Sequence, residues 1–499
     1  MDFSFENIIC RIMKSESVIV KATRSMKWSV LTEVISRAVT PLTFVVLARI
    51  LAPQDFGVVA IAQIAISFCT LFWDAGLEKA LIQTKEPLDK AANVVFWINI
   101  SLGLIIYSVL FVLAPSLAVF FNSPASGSVL QILGLQILIG SLATVQQSLF
   151  LRDLNFEQLF WAKLATAAIP AVVSIPLAFM GYGVWALVAS SLLASVTNVI
   201  ILWVKSSWRP CCSFDTAIAQ EMSNFGMWIV LDSFIGWFIS QGDAIVVGRY
   251  LGVRDLGFYR TGRNIIDLLF GLALNPIYPM LYPAFSAMYG DKEALRSFLY
   301  KANRIIMSLA LPMGAGIMCI ASPLVMVVLG EKWQGTEIVL SAIGLQTALG
   351  WLVAANPEIY RAVGRPDVQT KIALISFPLY LLTYLFAAPY GLSAFVVARL
   401  GLTLISLPIH VWMSVKILNV PCTYLWETGK PMILSTSFMV FAILGTKWII
   451  EMIGFIRPAI MDLVALTIVG IVSYVGSLWV LDKPFILQSR DMVRKSLAV

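Results

Sequence analysis

Charge is scarce in this chain. Only 13% of its 499 residues are Asp, Glu, Lys or Arg, against about 25% in ordinary soluble domains. Histidine is scarcer still: His410 stands alone. One histidine leaves no plausible Ser/His/Asp set and no His-built metal site, and His410 reads better as a buried or interfacial helix residue. The six cysteines (Cys10, Cys69, Cys211, Cys212, Cys319 and Cys422) are scattered without CxxC spacing, which argues against a disulfide or zinc framework. No GxxxxGK[ST] run exists, so a P-loop ATPase is excluded. Low-complexity tracts and long linkers are missing too. The longest polar pieces are the N-terminus, residues 205–221 and the stretch near residues 287–304, each too short for a soluble catalytic domain. No cofactor or metal is called for, and the chain is not expected to be an enzyme.

Apolar sequence is what remains. The chain is 59% hydrophobic with a mean hydropathy of +0.86, and runs near twenty residues recur from Trp28 almost to the end. Each is about the length that crosses a bilayer as a helix. About fourteen such spans can be placed, the two least distinct near residues 346 and 440. Continuous runs without strict alternation favour helices over a barrel. The expected fold is therefore an all-α polytopic membrane protein. Threading the spans with the N-terminus inside puts Lys and Arg on the cytoplasmic side in an excess of roughly three to one, with both ends cytoplasmic. The net charge of +7 then reflects an anionic lipid face, and nucleic acid is not needed to explain it. In residues 1–27, Phe3, Phe5, Ile8, Ile9 and Ile12 set against Arg11, Lys14 and Lys21 suggest a helix on the membrane surface, with a frayed tail as the alternative.

One stretch comes back. LARILAPQDFG (residues 47–57) returns as VGRYLGVRDLG (residues 247–257), with Arg49, Leu51, Asp55 and Gly57 matched by Arg249, Leu251, Asp255 and Gly257. In the first copy Pro53 and Gly57 punctuate a tight outer turn, and Asp55 can cap the next helix. A second echo joins FLRDLNFEQLF and GYGVWALVASSL to YRAVGRPDVQTK and PYGLSAFVVARL, with Tyr182-Gly183 repeated as Tyr390-Gly391. A six-helix unit has been duplicated, and an even helix number makes the copies parallel. The expected organisation is a cytoplasmic or interfacial segment (1–27), a first six-helix lobe (28–206), a linker (207–220), a second six-helix lobe (221–418), two further transmembrane helices (419–482) and a cytoplasmic tail (483–499).

Polar residues at spacings of three and four mark helix faces. The first span carries Glu33 and Arg37 on a stripe with Ser29, Ser36 and Thr40. Ionised residues near a span centre cost roughly 2.5–3.5 kcal/mol each against lipid, so this face lines protein or a wet cavity, and the added hydroxyls favour water. In the second copy Arg260, Arg263 and Asp267 share a face, with Asn275 two turns on. Where the first copy has Ala60, Gln63 and Ser67, the second has gained two cations. A guanidinium fork suits phosphate, so Arg37, Arg260 and Arg263 are candidate anion receptors facing a central cleft. In the alternative, Arg263 and Asp267 merely pair within one helix and Arg260 snorkels to the interface. Glu33, Asp243 and Asp267 are candidates for ion coupling or for counter-ions. Arg49 and Arg249 sit at helix C-termini and read as structural. Trp73, Trp228 and Trp237 are lone aromatics of apolar spans and read as packing or interface anchors. Glu358 is unassigned, and Arg399 faces protein or a cavity.

The motifs LARILAPQDFG, FWDAGLEKALIQ, LRDLNF, GYGVWALV and GDAIVVGRYLGVRDLGFY, in that order and spacing, resemble the Wzx-type flippases. These form the polysaccharide-transport branch of the multidrug/oligosaccharidyl-lipid/polysaccharide exporter superfamily. The resemblance covers about residues 25–415. It implies two six-helix lobes around a cation-lined cavity that opens alternately to either side. It also implies a substrate, an oligosaccharide repeat unit on undecaprenyl diphosphate, moved across the bacterial cytoplasmic membrane for exopolysaccharide, capsule or O-antigen assembly. A polysaccharide polymerase and chain-length or export proteins are the partners it implies. Arg37, Arg260 and Arg263 would receive the diphosphate. One rival is a multidrug or cation exporter of the same superfamily, which calls for an acidic cavity. Another is a polytopic polymerase or transferase of the same pathway, and the short outer connections NSPASG, GYG and PYG speak against it.

Overall fold

Apolar runs in a bilayer must close their backbone hydrogen bonds internally, and among the described residues the long runs do so as helix. The structure, a computed structural model, describes residue 28 and residues 39–74, 76–84, 86–365, 367–453 and 458–497, and no strand occurs among them. Among the described residues eleven stretches are long and apolar enough to cross a membrane, or twelve if one bent pair counts as a single span. The two least distinct expected spans, near residues 346 and 440, are both helical. Outward-facing Val112, Val119, Ile375 and Val472 are more than half exposed, a lipid-facing pattern that a water-soluble surface does not carry at this density.

Contacts divide the chain into two compact units, residues 1–257 and 258–499. The first contains α1 (Val39–Ile50), α2 (Pro53–Asp74), α3 (Leu77–Gln83), α4 (Leu88–Phe120), α5 (Pro124–Leu133), α6 (Leu135–Ser141), α7 (Thr144–Arg152), α8 (Phe156–Phe179), α9 (Val184–Lys205) and α10 (Thr216–Tyr250). Asp55 accepts from the Ala52 N–H at 3.0 Å, so it reaches back to cap α2 from that helix's third position. Packing of α5 against α2 and α4 buries Leu110, Leu130 and Leu133 together with Val188 of α9. A count of fourteen spans turns on α1 and α10, which fall outside the eleven.

The helix α10 opens the second lobe in the sequence repeat, yet it packs in the first unit. Its Ile218 and Met222 join the cluster around Phe96, and Trp237 Nε1 donates to Ser67 Oγ at 2.9 Å. Rings of Phe68, Phe234 and Phe238 surround that bond. The contact boundary therefore falls after Gly257 instead of in the linker near residues 207–220.

The second unit takes up α11 (Val253–Leu274) from Phe258 on and continues through α12 (Tyr278–Ala287), α13 (Lys292–Val328), α14 (Thr336–Trp351), α15 (Asn356–Ala362), α16 (Asp367–Ala387), α17 (Leu392–Leu418), α18 (Tyr424–Ile453), α19 (Ala459–Leu481) and α20 (Lys483–Leu497). The chain bends by 45° between α11 and α12, where Pro276 removes a backbone donor and crowds the preceding turn. A second interruption separates α14 from α15 at residues 352–355, and α12 packs on α15. The last helices dock on α13: Met432, Met439, Leu466 and Tyr474 bury against Met307, Leu311 and Ala315.

The duplication appears in the caps. After α7, the Asn155 N–H returns to the Phe150 carbonyl at 2.8 Å; after α15, the Arg365 N–H returns to the Tyr360 carbonyl at 2.7 Å. The intervening left-handed position is Leu154 (φ 56) in one copy and Gly364 (φ 74) in the other. The same helix stop is thus built twice.

Candidate functional site

The charged stripe on α11 is the natural starting point. Leu256, Phe258, Tyr259, Ile266 and Phe270 are buried and hold one side of this helix against protein. Arg260, Arg263, Asn264, Asp267, Gly271 and Asn275 follow one another along the less buried side. Arg263 Nε lies 3.7 Å from Asp267 Oδ2, with side-chain exposures of 22% and 63%. The intrahelical pairing foreseen as the alternative is therefore present, and Arg260 stands one turn earlier, half-buried. Asp267 lies near the middle of the bent span. Against lipid an ionised carboxylate near a span centre would cost roughly 2.5–3.5 kcal/mol, so an aqueous or protein face suits it better.

Arg37 and Glu33 lie outside the described residues. Asp243 sits in the first unit on α10, 1% exposed, where its Oδ1 accepts from the adjacent Ala244 N–H at 2.6 Å. Trp237 is a packing residue, as its bond to Ser67 shows, while the side chains of Trp73 and Trp228 lie outside the described set. Arg249 lies over the Phe120 ring at 5.3 Å, consistent with a structural part. Arg399 donates to the Tyr259 hydroxyl and lies 5.9 Å from the rings of both Tyr259 and Tyr384. It therefore faces protein aromatics.

A second feature was not singled out from the sequence. The second unit holds a cavity of about 620 Å³ between the interrupted helices, lined among others by Asn275, Tyr278, Gln346, Trp351, Tyr380, Thr403, Ser406 and His410. Beside it Glu358, 4% exposed, accepts from the Tyr278 hydroxyl at 2.7 Å and from Arg361 Nη1 at 3.2 Å. The buried carboxylate is thus neutralised and hydrogen-bonded, as burial requires. Pro276 and Pro357 were the available signals, since proline-interrupted spans are where transporters place ligands. The first unit has a smaller cavity of about 380 Å³, lined by Thr70, Gly76, Glu78, Thr144, Gln147, Asn198 and Ser233 among others. No cluster of three or more His, Cys, Asp or Glu suited to a metal occurs among the described residues.

A helical, multi-pass membrane protein with a duplicated plan and charged or polar features inside its spans is the class these observations define. The chain belongs to the polysaccharide biosynthesis protein family, whose pattern matches residues 46–338. Among its relatives, it is 26% identical over 479 residues to the succinoglycan biosynthesis transport protein ExoT of Rhizobium meliloti (strain 1021), covering 95% of each chain. It is 24% identical over 416 residues to the lipopolysaccharide biosynthesis protein WzxC of Escherichia coli (strain K12), covering 81% of this chain and 80% of that one. Its fold is similar to that of the lipid II flippase MurJ in an inward closed conformation, with a TM-score of 0.73 at 15% identity over 92% of this chain and 100% of that one. It is also similar to an inward-facing multidrug resistance MATE family transporter, with a TM-score of 0.59 at 14% identity over 77% and 95% of the two chains. The multi-pass, all-helical fold expected from the sequence is the fold observed.

Proposed function

We propose that this protein is a flippase for undecaprenyl-diphosphate-linked oligosaccharide repeat units, working by alternating access without changing their covalent structure. The observation that carries the reading is the stripe on α11: Arg260, Arg263 and a carboxylate 63% exposed inside an apolar span. A permanently charged guanidinium pair suits a diphosphate, and a water-filled face is what a hydrophilic headgroup needs to cross a bilayer. The part in polysaccharide biosynthesis for which ExoT and WzxC are named agrees with this substrate class. The polyprenyl tail stays in lipid throughout. In this reading Arg37 joins Arg260 and Arg263 as a diphosphate receptor, and Glu33, Asp243 and Asp267 are the groups available for ion coupling. The two six-helix lobes of the sequence repeat are the moving bodies. The protein sits in the cytoplasmic membrane with both termini inside, beside the polymerase and export proteins that use its product.

The test is export in a deletion strain complemented with the Arg260→Ala/Arg263→Ala double variant. Deletion should accumulate lipid-linked glycan on the cytoplasmic face. The double variant should fail to relieve that accumulation while reaching wild-type protein level by immunoblot. Full glycan export by the double variant would remove the receptor role. An acidic cavity, which a small-cation exporter would need, is not what two arginines on one face provide.

A further inference from the structure

The two cavities occupy equivalent places in the repeat. In the first unit Glu78, Gly140, Thr144 and Asn198 line the cavity; in the second, Tyr278, Gly350, Ala354 and Ser406 do so. Tyr278 follows Glu78 by the same shift that relates Gly257 to Gly57. Ser406 follows Asn198 by the shift that relates Gly391 to Gly183. Gly350 and Ala354 follow Gly140 and Thr144 by the shift that relates the left-handed Gly364 to Leu154. One ancestral cavity has been kept twice, and its walls have diverged.

The divergence is chemical. Among the described residues the second-unit cavity has no Asp, Glu, Lys or Arg in its lining, so it lacks the fixed cation that best suits a diphosphate. It presents aromatic faces and neutral hydrogen-bonding groups. Tyr278 and Trp351 stand perpendicular with ring centroids 5.9 Å apart, and the bond from Tyr278 to buried Glu358 locks that ring in place. Gln346, Thr403, Ser406 and His410 add neutral amide, hydroxyl and imidazole groups to the lining. Aromatic faces for C–H-rich ring surfaces, beside neutral donors and acceptors for hydroxyls, are the recognition chemistry of a neutral sugar. The volume lies within the usual range of small-molecule sites, roughly 300–1,000 Å³. The cavity also lies between two broken helices, where backbone groups are released for ligands. Asn275, on its wall, follows Arg263 on the same strand of chain by about 18 Å of helical rise.

We infer that this cavity is the glycan subsite: it holds a neutral pyranose of the lipid-linked substrate, stacked on Tyr278 or Trp351 and hydrogen-bonded by Gln346 and His410. The assignment rests on the lipid-linked glycan reading above. It places sugar recognition in the second unit and separates it from recognition of the diphosphate.

The test compares two ligands binding to the full chain in nanodiscs: undecaprenyl diphosphate, and the lipid-linked glycan extracted from cells lacking the protein. Wild-type protein should bind the glycosylated lipid about tenfold more tightly than the bare carrier. Gln346→Leu should bring the two affinities together by weakening only the glycosylated ligand. If that variant does not accumulate, Thr403→Val and Ser406→Ala, which each remove a single hydroxyl, carry the same expectation in part. Retention of the full preference in the folded variants overturns the glycan subsite, as does equal weakening of both lipids, which would assign the cavity to the polyprenyl tail or to packing. Failure of wild-type protein to bind either lipid would instead defeat the flippase reading itself.

Discussion

Gly57 and Gly257 exchange partners across a helix crossing. A Cβ on Gly57 would stand 1.9 Å from the carbonyl oxygen of Val253, and a Cβ on Gly257 would stand 2.0 Å from the carbonyl oxygen of Pro53. Each glycine thus packs on the carbonyl four residues before its counterpart, so the duplicated LAPQDFG and LGVRDLG turns meet each other reciprocally. Backbones approach this closely in membranes only where side chains are absent, and Cα–H groups then face carbonyl oxygens.

Alanine at either position should therefore force the first turns of α2 and α11 apart. The clashing atoms are backbone oxygens, which cannot rotate away as a side chain could. Gly57→Ala and Gly257→Ala should each cost about 1–3 kcal/mol, read as a lowered thermal midpoint in detergent. The reciprocity requires the two losses to be similar. A large loss at one position and none at the other would show that the crossing is not symmetric.

The left-handed helix stops give a contrasting pair of substitutions. Nothing lies within 4 Å of a Cβ built on Gly364, so Gly364→Ala meets only the backbone penalty of its positive φ, about 1 kcal/mol. Leu154 already bears that penalty at φ 56, and Leu154→Gly should relieve it and raise the thermal midpoint by about a degree. A lowered midpoint would mean that packing of the leucine side chain outweighs its backbone strain.

How much of this was legible follows from the range of the contacts involved. The repeat, the span periodicity and the cap at Asp55 depend on neighbours in sequence, and residues such as Gly57, Tyr182 and Gly391 announced them. The pairing of Arg263 with Asp267 was likewise readable as an i, i+4 spacing. The allegiance of α10 was not, because an apolar helix is compatible with many neighbours and the Trp237–Ser67 bond joins residues 170 apart. The second-unit cavity was hidden for the same reason. Tyr278 and Trp351 look like any aromatic in a span until Pro276 and the 352–355 interruption bring them together. Glu358 is unassigned from the sequence, since its Tyr278 donor is 80 residues away.

Arg304 and Asp482 show what holds the last helices in place. Arg304 Nη2 donates to Asp482 Oδ2, Asp482 Oδ1 accepts from the Phe485 N–H at 3.3 Å, and the Arg304 guanidinium lies 4.9 Å from the Phe485 ring. Asp482 is buried at 6% exposure while Arg304 is more open, so Asp482→Ala removes a bond to a charge and the start of α20 together. The expected loss is about 1.5–3 kcal/mol, with α20 becoming the first site of limited proteolysis. Unchanged protease resistance would show that Phe485 and Ile486 hold the helix by burial alone.

The ion pair on α11 should behave in the opposite way. With Asp267 63% exposed and the separation at 3.7 Å, the pair resembles a solvated i, i+4 contact, whose contribution is usually below about 1 kcal/mol. Asp267→Asn should leave the thermal midpoint nearly unchanged. If Asp267 binds and releases a coupling ion, the same variant should alter the dependence of glycan export on the proton or sodium gradient. Loss of stability without any change in coupling would make Asp267 a structural counter-ion of Arg263.

Water access can be measured directly on α1. Thr40 is exposed one turn after Ser36 on the polar stripe of the first span, and a hydroxyl there is indifferent to stability but sensitive to surroundings. In a background with Cys10, Cys69, Cys211, Cys212, Cys319 and Cys422 replaced by serine or alanine, Thr40→Cys should react with a membrane-impermeant thiol reagent. Reaction requires a thiolate, which forms in water and is suppressed by apolar surroundings. Labelling of Thr40→Cys but not of a cysteine at outward-facing Leu42 would place the stripe in a wet vestibule. Equal protection of both would put α1 in a dry interior.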